Sequence, residues 1–360
     1  MKTLYKDYYR FFNSYYKLDV FDGSLRTKNK LFNDGMNILT NFHYKNNKMY
    51  NEIIKKLNFE ENKNYKKDDL PYLPVTIFKN FDMYTADLKT INTIATSSGT
   101  SSSKVSKIFL DRNNSINQLR VLTKILTSYF GTKKLPMLVL ANKINNKSRE
   151  INAKLAAIKG FSVLASELIF CLDEQNNLDQ KIFKKFIDLP YKNKLIFGFT
   201  YDIWQKLYLS NLKYKKIDLS NTTIIHGGGW KKLENIKVDN LLFKKKLNNK
   251  FKIKKIINYY GMIEQTGSIF LECYKCNNFF PSIFSDILIR NKNLDIISNE
   301  PGLIQLMSLL PTSYPGHNIL TEDVGEIVSD NCKYCNSKNI KQFRIYGRIK
   351  NSDIRGCSNI

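Results

Sequence analysis

Along roughly the first 65 residues, aromatic and aliphatic side chains recur every three or four positions among Lys and Asn, as in NKMYNEIIKKLNF. That spacing predicts amphipathic helices. A connector, DDLPYLPVTIFKNF (68–81), follows, and its two prolines disfavour helix. Beyond it short apolar runs alternate with helical patterns. LPMLVLAN (135–142), KLIFGFT (194–200) and NTTIIHGGG (221–229) read as buried strands; NSINQLRVLTKILTSYF (114–130) and TYDIWQKLYLSNLK (200–213) read as helices between them. Strand and helix taking turns implies an α/β sheet covered by helices. Residues 283–346 read instead as closely spaced strands, SIFSDILIRN, GLIQLMSLL, VGEIVSD and KQFRIYGRI, which predicts a smaller β subdomain. There is no internal repeat and no low-complexity linker.

Composition narrows the class. At 360 residues and 42.0 kDa the chain can form one large domain or two ordinary ones, and 42% hydrophobic with 13% aromatic residues is a globular composition. No run reaches the roughly 18 apolar residues needed to cross a bilayer, and the start, MKTLYKDYYRFFNSYY, lacks an apolar signal core and a small-residue cleavage site. The expectation is a soluble cytoplasmic protein without a membrane span. The formal charge of +25 invites a nucleic-acid reading, but only nine of the 57 basic residues are Arg, the side chain suited to forked phosphate and guanine contacts. Lysines are strewn along the chain beside abundant Asn and Ile. The densest cluster, FKKKLNNKFKIKK (243–255), fits a helix end running into a strand with solvated lysines, with steering of an anionic substrate left open. No nucleic-acid partner is expected, and a basic zinc-containing nucleic-acid binder stands as the alternative from another class.

Several stretches carry chemistry. IATSSGTSSSKVSKIFL (94–110) sets small polar residues and a glycine between apolar segments, followed by two lysines. Its backbone N–H groups, hydroxyls and ammonium groups are what an oligophosphate requires, although the arrangement is not a Walker loop and a Ser-rich turn is commonly just a loop. HGGGW (226–230) ends a strand with three glycines, which permit close approach of a flat ligand or merely a sharp turn; His226 is either a ligand contact or an interior histidine. NYYGMIEQTGS (258–268) places Glu264 among aromatics and glycines, as a hydrated turn residue or a holder of a charged ligand, and YPGHNILTEDVGEI (314–327) places Glu322 and Asp323 just before a glycine, where one carboxylate can hold both hydroxyls of a ribose or the pair simply forms a solvated acidic turn. Three of the nine arginines, Arg344, Arg348 and Arg355, fall in the last 17 residues.

Six cysteines in a chain expected to be cytosolic point to metal ligands, reactive thiols or core positions rather than disulfides. Cys273 and Cys276 form one CxxC and Cys332 and Cys335 another, a spacing that matches a tetrahedral structural zinc clamping two distant segments. Redox-inert surface thiols are the alternative. Cys171, in LIFCLDE, is most simply a core residue.

Taken in order, LPVTIFK, SSGTSSSKVSKI, HGGGWKK, YYGMIEQTGSIFLEC, SYPGHNILTEDVG and GRIKNSDIRGCS resemble the adenylate-forming acyl ligases, and within them the acyl-protein synthetases of bacterial fatty-acid reductase systems (the LuxE type), related to phenylacetate–CoA ligases. The resemblance covers about residues 70–360. It implies the N-terminal domain of an adenylate-forming ligase, helix-covered sheets plus a smaller β subdomain, lacking most of the mobile C-terminal domain. The division expected is a helical extension over 1–70, a nucleotide-binding core over 71–282, the β subdomain over 283–346 and a hinge-like tail over 347–360.

The resemblance also implies site residues. Ser97, Ser98, Gly99, Thr100 and Ser101 would cradle ATP phosphates with Lys104 or Lys107 adding charge; Gly227, Gly228 and Gly229 would line the adenine, with Tyr260 stacking near it. Glu264 would bind Mg²⁺, Asp323 the ribose with help from Arg348, and Cys357 would accept the acyl group as a thioester. A thiol near arginines forms thiolate more readily. The activity implied is ATP-dependent activation of a carboxylic, expectedly fatty, acid, with transfer to Cys357 and then to an acyl-accepting reductase or carrier protein, or alternatively to coenzyme A. Two departures stand out. Ser102 replaces a family glycine, and the lysine supplied by the C-terminal domain of the larger ligases has no counterpart before Ile360. A relic that binds ATP without turnover is the third possibility.

Overall fold

The structure is a computed structural model describing residues 2–21, 25–97, 104–143, 148–214, 217–229, 238–332 and 340–349. The amphipathic start forms helices α1 (Lys2–Tyr15), α2 (Leu25–Asn46) and α3 (Lys48–Lys56). In α3, Asn47 caps the first turn by accepting from the Tyr50 N–H, leaving Tyr50 and Ile54 on the buried face. Phenol hydroxyls tie these helices to the rest of the chain: Tyr15 donates to the Ile283 carbonyl at 2.7 Å and Tyr8 to that of Leu309.

The connector yields strand β1 (Leu73–Pro74) and, against the proline signal, one helical turn, α4 (Ile77–Asn80), which begins three residues past Pro74 where the ring no longer forbids it. Next come β2 (Ile91–Thr96) and β3 (Lys107–Asp111), an antiparallel pair, then α5 (Arg112–Phe130), capped by Asp111 accepting from the Asn114 N–H. The α/β alternation continues as β4 (Leu135–Val139), β5 (Glu150–Asn152), α6 (Ala153–Phe161), β6 (Ala165–Phe170), α7 (Gln180–Asp188), β7 (Lys194–Phe199), α8 (Thr200–Asp202), β8 (Thr222–Gly227), α9 (Asn240–Phe251) and β9 (Lys255–Tyr260). The helix expected over 200–213 runs only to Tyr208, because α8 passes into a π-helical turn, Ile203–Tyr208, that ends it. Short strands β10 (Phe270–Glu272), β11 (Phe279–Phe280), β12 (Ser285–Arg290), β13 (Ile296–Ile297) and β14 (Gly302–Ser308) lead to the long β15 (Asn318–Ser329) and β16 (Gln342–Arg348).

Among the described residues thirteen strands form one sheet, ordered β13-β12-β14-β15-β16-β11-β10-β9-β8-β7-β4-β6, with β1 paired to β15; β2, β3 and β5 form a second. The strands from β6 to β9 run parallel, and from β10 onward the pairing is antiparallel except that β1 lies parallel to β15. β4, β7 and β8 are almost entirely buried because both of their faces are covered, whereas β6, at the end of the sheet, is partly exposed. On one face Phe161, Phe197 and Tyr259 pack ring to ring; on the other Ile196 and Ile224 meet Phe183, Phe243 and Leu247. β16, late in the chain, fills the place between β15 and β11. At the antiparallel end Asp286 lies between Lys67 and Lys341; burial alone would raise its carboxyl, but the two ammonium groups hold it well below the ordinary range.

Candidate functional site

In a parallel sheet, ligands lie beyond the carboxyl ends of the strands, where loops from neighbouring strands converge. β8 and β9 end side by side there, Gly227 paired with Tyr259. Gly227 has no side chain because the Tyr259 ring occupies that space, with a would-be Cβ only 2.5 Å from it. Gly228 has φ +76° and would meet Phe199 at 2.7 Å, while none of the described residues lies within 4 Å of a Cβ on Gly229. Two of the three glycines thus serve packing and backbone geometry, and the third has room beside it among the described residues. His226 is interior: its Nδ1 is 2.9 Å from the Thr200 hydroxyl, and burial lowers its pKa to about 3.

One residue past Tyr259, the Tyr260 hydroxyl donates to Asp323 Oδ2 at 2.7 Å. Arg348 Nε donates to Oδ1 of the same carboxylate at 3.1 Å, and the two residues are register partners across β15 and β16. Burial and the adjacent Asp323 carboxylate together push the Tyr260 phenol well up, so it remains a donor. Each Asp323 oxygen accepts one protein hydrogen bond and keeps a lone pair for a ligand hydroxyl.

Glu264 stands on the 3-10 turn Ile263–Gln265 that follows β9 and is 5% exposed. Burial raises its carboxyl above the usual range; Ser106 beside it, and Arg348 and Lys79 farther off, act the other way. It has no ion-pair partner among the described residues. A buried carboxylate lacking a cation suits a hard metal ion such as Mg²⁺, which would reverse the effect of burial. β3 packs on this turn, bringing the base of the small-residue loop to it: Ser97 N donates to Ser106 O at 3.1 Å, and Ser106 N to the Ser97 hydroxyl at 2.9 Å. Ser98, Gly99, Thr100, Ser101 and Ser102 lie outside the described residues. Lys104 and Lys107, just after them, are exposed.

Lys79, within LPVTIFK, shows no role in the sequence. It lies in α4 and reaches Glu322 at 3.4 Å, next to Asp323. No local pattern announces it, because its partners lie more than 180 positions away. Ser106 and Tyr314, whose hydroxyl donates to the Glu264 carbonyl at 2.9 Å, were missed for the same reason.

The sulfurs of Cys273, Cys276 and Cys332 lie within 4.8 Å of one another, with Cys273 and Cys332 4.0 Å apart. Zn–S bonds of about 2.3 Å in a tetrahedron separate sulfurs by roughly 3.8 Å, so the cluster fits a zinc ion. Burial and the neighbouring thiols push Cys276 up to about 12, a thiol arrangement that a cation would favour as thiolates. Cys335 lies outside the described residues, as do Cys357 and Arg355. Cys171 is a core residue donating to the Val139 carbonyl.

No helix among the described residues is long and apolar enough to cross a membrane. Compared with known proteins, residues 14–360 match the profile of the family described as acyl-protein synthetase, LuxE. A long-chain-fatty-acid–luciferin-component ligase of Aliivibrio fischeri is 25% identical over 292 residues, 79% of this chain and 76% of that protein. Among solved structures, 2-hydroxyisobutyryl-CoA ligase in an open conformation with 2-HIB-AMP and CoA superposes with a TM-score of 0.66 at 11% identity, covering 90% of this chain and 70% of that one. The same ligase in its thioesterification state gives 0.67 at 10% identity over 92% and 70%. These superpositions identify the fold as that of an adenylate-forming ligase. The chain belongs to the acyl-protein synthetase (LuxE) family and is an adenylate-forming acyl ligase.

Proposed function

We propose that this enzyme joins a fatty acid to AMP at the Glu264–Asp323 site, releases pyrophosphate, and passes the acyl group to the Cys357 thiol and then to an acyl-accepting protein. The observation that supports it is convergence: the loop base at Ser97 and Ser106, the Glu264 turn and the Tyr260–Asp323–Arg348 cluster, about 250 positions apart in sequence, come together around Glu264, on which both Ser106 and Arg348 act. In this reading Gly229 leaves room for the adenine, Tyr260 lies beside it, and Asp323 accepts from both ribose hydroxyls with Arg348 fixing its orientation. The loop Ser97–Ser101 and Lys104 would bind the phosphates, with Lys79 as a further cation near Glu264.

The chemistry asks little of a base. A carboxylate oxygen attacks the α-phosphorus and the bond to the β-phosphate bridging oxygen breaks, giving acyl-AMP and pyrophosphate without proton removal. The barrier is repulsion between anions, so N–H and cationic groups aimed at phosphate oxygens supply most of the catalysis. A magnesium ion held by Glu264 would neutralise phosphate charge. In the second half-reaction the Cys357 thiolate attacks the acyl carbon and AMP leaves, forming a thioester that exchanges onto the acceptor's thiol. The division into an N-terminal helical extension, a nucleotide-binding core, a β subdomain and an acyl-carrying tail belongs to this proposal, as does a structural zinc on Cys273, Cys276, Cys332 and Cys335.

Intact-protein mass spectrometry after incubation with ATP, Mg²⁺ and a panel of acids tests the whole sequence. A hydroxylamine-labile acyl mass that disappears in Cys357→Ser is expected, and Glu264→Ala is expected to abolish acid-dependent pyrophosphate release. Pyrophosphate release with an unmodified wild-type chain would refute the acyl-thiol step alone. Metal analysis of the purified protein checks the zinc: one equivalent is expected, lost in Cys273→Ser.

A further inference from the structure

A carboxylate can place a metal ion only if its own backbone is fixed. Glu264 sits on a three-residue turn, too short to hold itself by repeated helical hydrogen bonds, so its position must be set from outside. The segment SYPGHN provides the hold. The Tyr314 hydroxyl donates to the Glu264 carbonyl at 2.9 Å, and the Gln265 side chain donates to the carbonyls of Gly316 at 2.9 Å and Leu306 at 3.1 Å. Tyr314 is fully buried, with its ring edge-on to Phe78 of α4. Gly316 has room for nothing more: a Cβ there would lie 2.2 Å from the Tyr314 ring and 2.8 Å from the Glu264 carbonyl oxygen. The glycine lets the phenol and the carbonyl meet.

We propose that Tyr314 is a positioning residue that fixes the Glu264 carboxylate for magnesium nucleotide, a role that rests on the reading of Glu264 as the metal-binding carboxylate. The phenol acts as a permanent donor. Removing its hydroxyl leaves the carbonyl buried and unpaired, and the turn shifts to find another partner. Displacing a reacting or coordinating group by about 1 Å is enough to cost up to 100-fold.

Calorimetric titration with ATP, once with Mg²⁺ and once with EDTA, separates this role from mere stability and needs no knowledge of the acid. The wild type is expected to bind ATP more tightly with Mg²⁺. Tyr314→Phe is expected to lose about fivefold to tenfold of that gain, the worth of one buried hydrogen bond. Tyr15→Phe removes the same kind of bond, from a phenol to the Ile283 carbonyl, and is expected to keep the full gain. A Tyr314→Phe protein that retains the gain while losing as much urea resistance as Tyr15→Phe would show a purely structural residue and overturn the inference. If Glu264→Ala also keeps the gain, the metal reading itself fails; if only Tyr314→Phe keeps it, that reading survives without Tyr314.

Discussion

All three histidines of the chain are buried, His43 and His317 completely and His226 to within 1%. His43 contacts Thr85 at 2.8 Å and the Pro311 carbonyl at 3.1 Å, His317 contacts Thr40 at 3.0 Å, and the two rings stack 4.9 Å apart. Among the described residues Tyr50, on α3, is the one other titratable side chain in hydrogen-bond contact with this pair, and it is a neutral phenol. Burial lowers His43 and His226 to about 3 and His317 well below its ordinary value. An unfolded chain protonates each near 6.5. The folded values are the lower ones, so the unfolded state binds more protons between the two; stability is complete above pH 6.5 and falls as pH drops. Each histidine contributes about 1.4 kcal/mol per pH unit below 6.5, so three remove about 4 kcal/mol between pH 7.5 and 5.5.

Glu264 and Glu272, both raised by burial, take up protons first in the folded state and offset part of this loss. The single-residue comparison isolates the histidine effect. Urea unfolding of wild type and His226→Asn at the two pH values should show the variant losing about 1.4 kcal/mol less on acidification. Imidazole signals of the folded protein that titrate near pH 6.5, or an unchanged pH slope in His226→Asn, would refute the reasoning.

Three further outcomes are expected. Gly316→Ala drives a methyl group into the Tyr314 ring and the Glu264 carbonyl and should destabilise by about 1–3 kcal/mol or more, read from urea midpoints. Asp286→Ala leaves Lys67 and Lys341 without their shared carboxylate and should cost about 3–5 kcal/mol, seen as a lower Tm. Tyr260→Phe frees one oxygen of Asp323 from its donor, so the KM for ATP should rise severalfold with that for the acid unchanged.

What could be read from the sequence follows from how local each signal is. β4, β7 and β8 were legible because each centres on a short apolar run that both faces of the sheet bury, and α5 because its stripe repeats at helical spacing. The paired CxxC spacing anticipated the three-sulfur cluster for the same reason. The π-helical turn that ends the helix at Tyr208 has no periodic signature of its own. Lys79, Ser106 and Tyr314 were illegible because a lysine, a serine and a tyrosine gain meaning only from Glu322 and Glu264, which folding brings to them. The glycines of HGGG were noticed, but that Tyr259 and Phe199 fill the space above two of them is a fact of packing.

The placement of β16 between β15 and β11 has a consequence for how the protein is made. During synthesis every other strand of the large sheet can emerge while the gap it fills stands open, exposing two unpaired edges able to capture strands of other chains. Arg348 closes that gap and completes the grip on Asp323 in the same step. If Asp323 holds nucleotide as proposed, a nascent chain should be both sticky and unable to hold it until β16 leaves the ribosome, and the two properties should appear together in any variant that weakens β16.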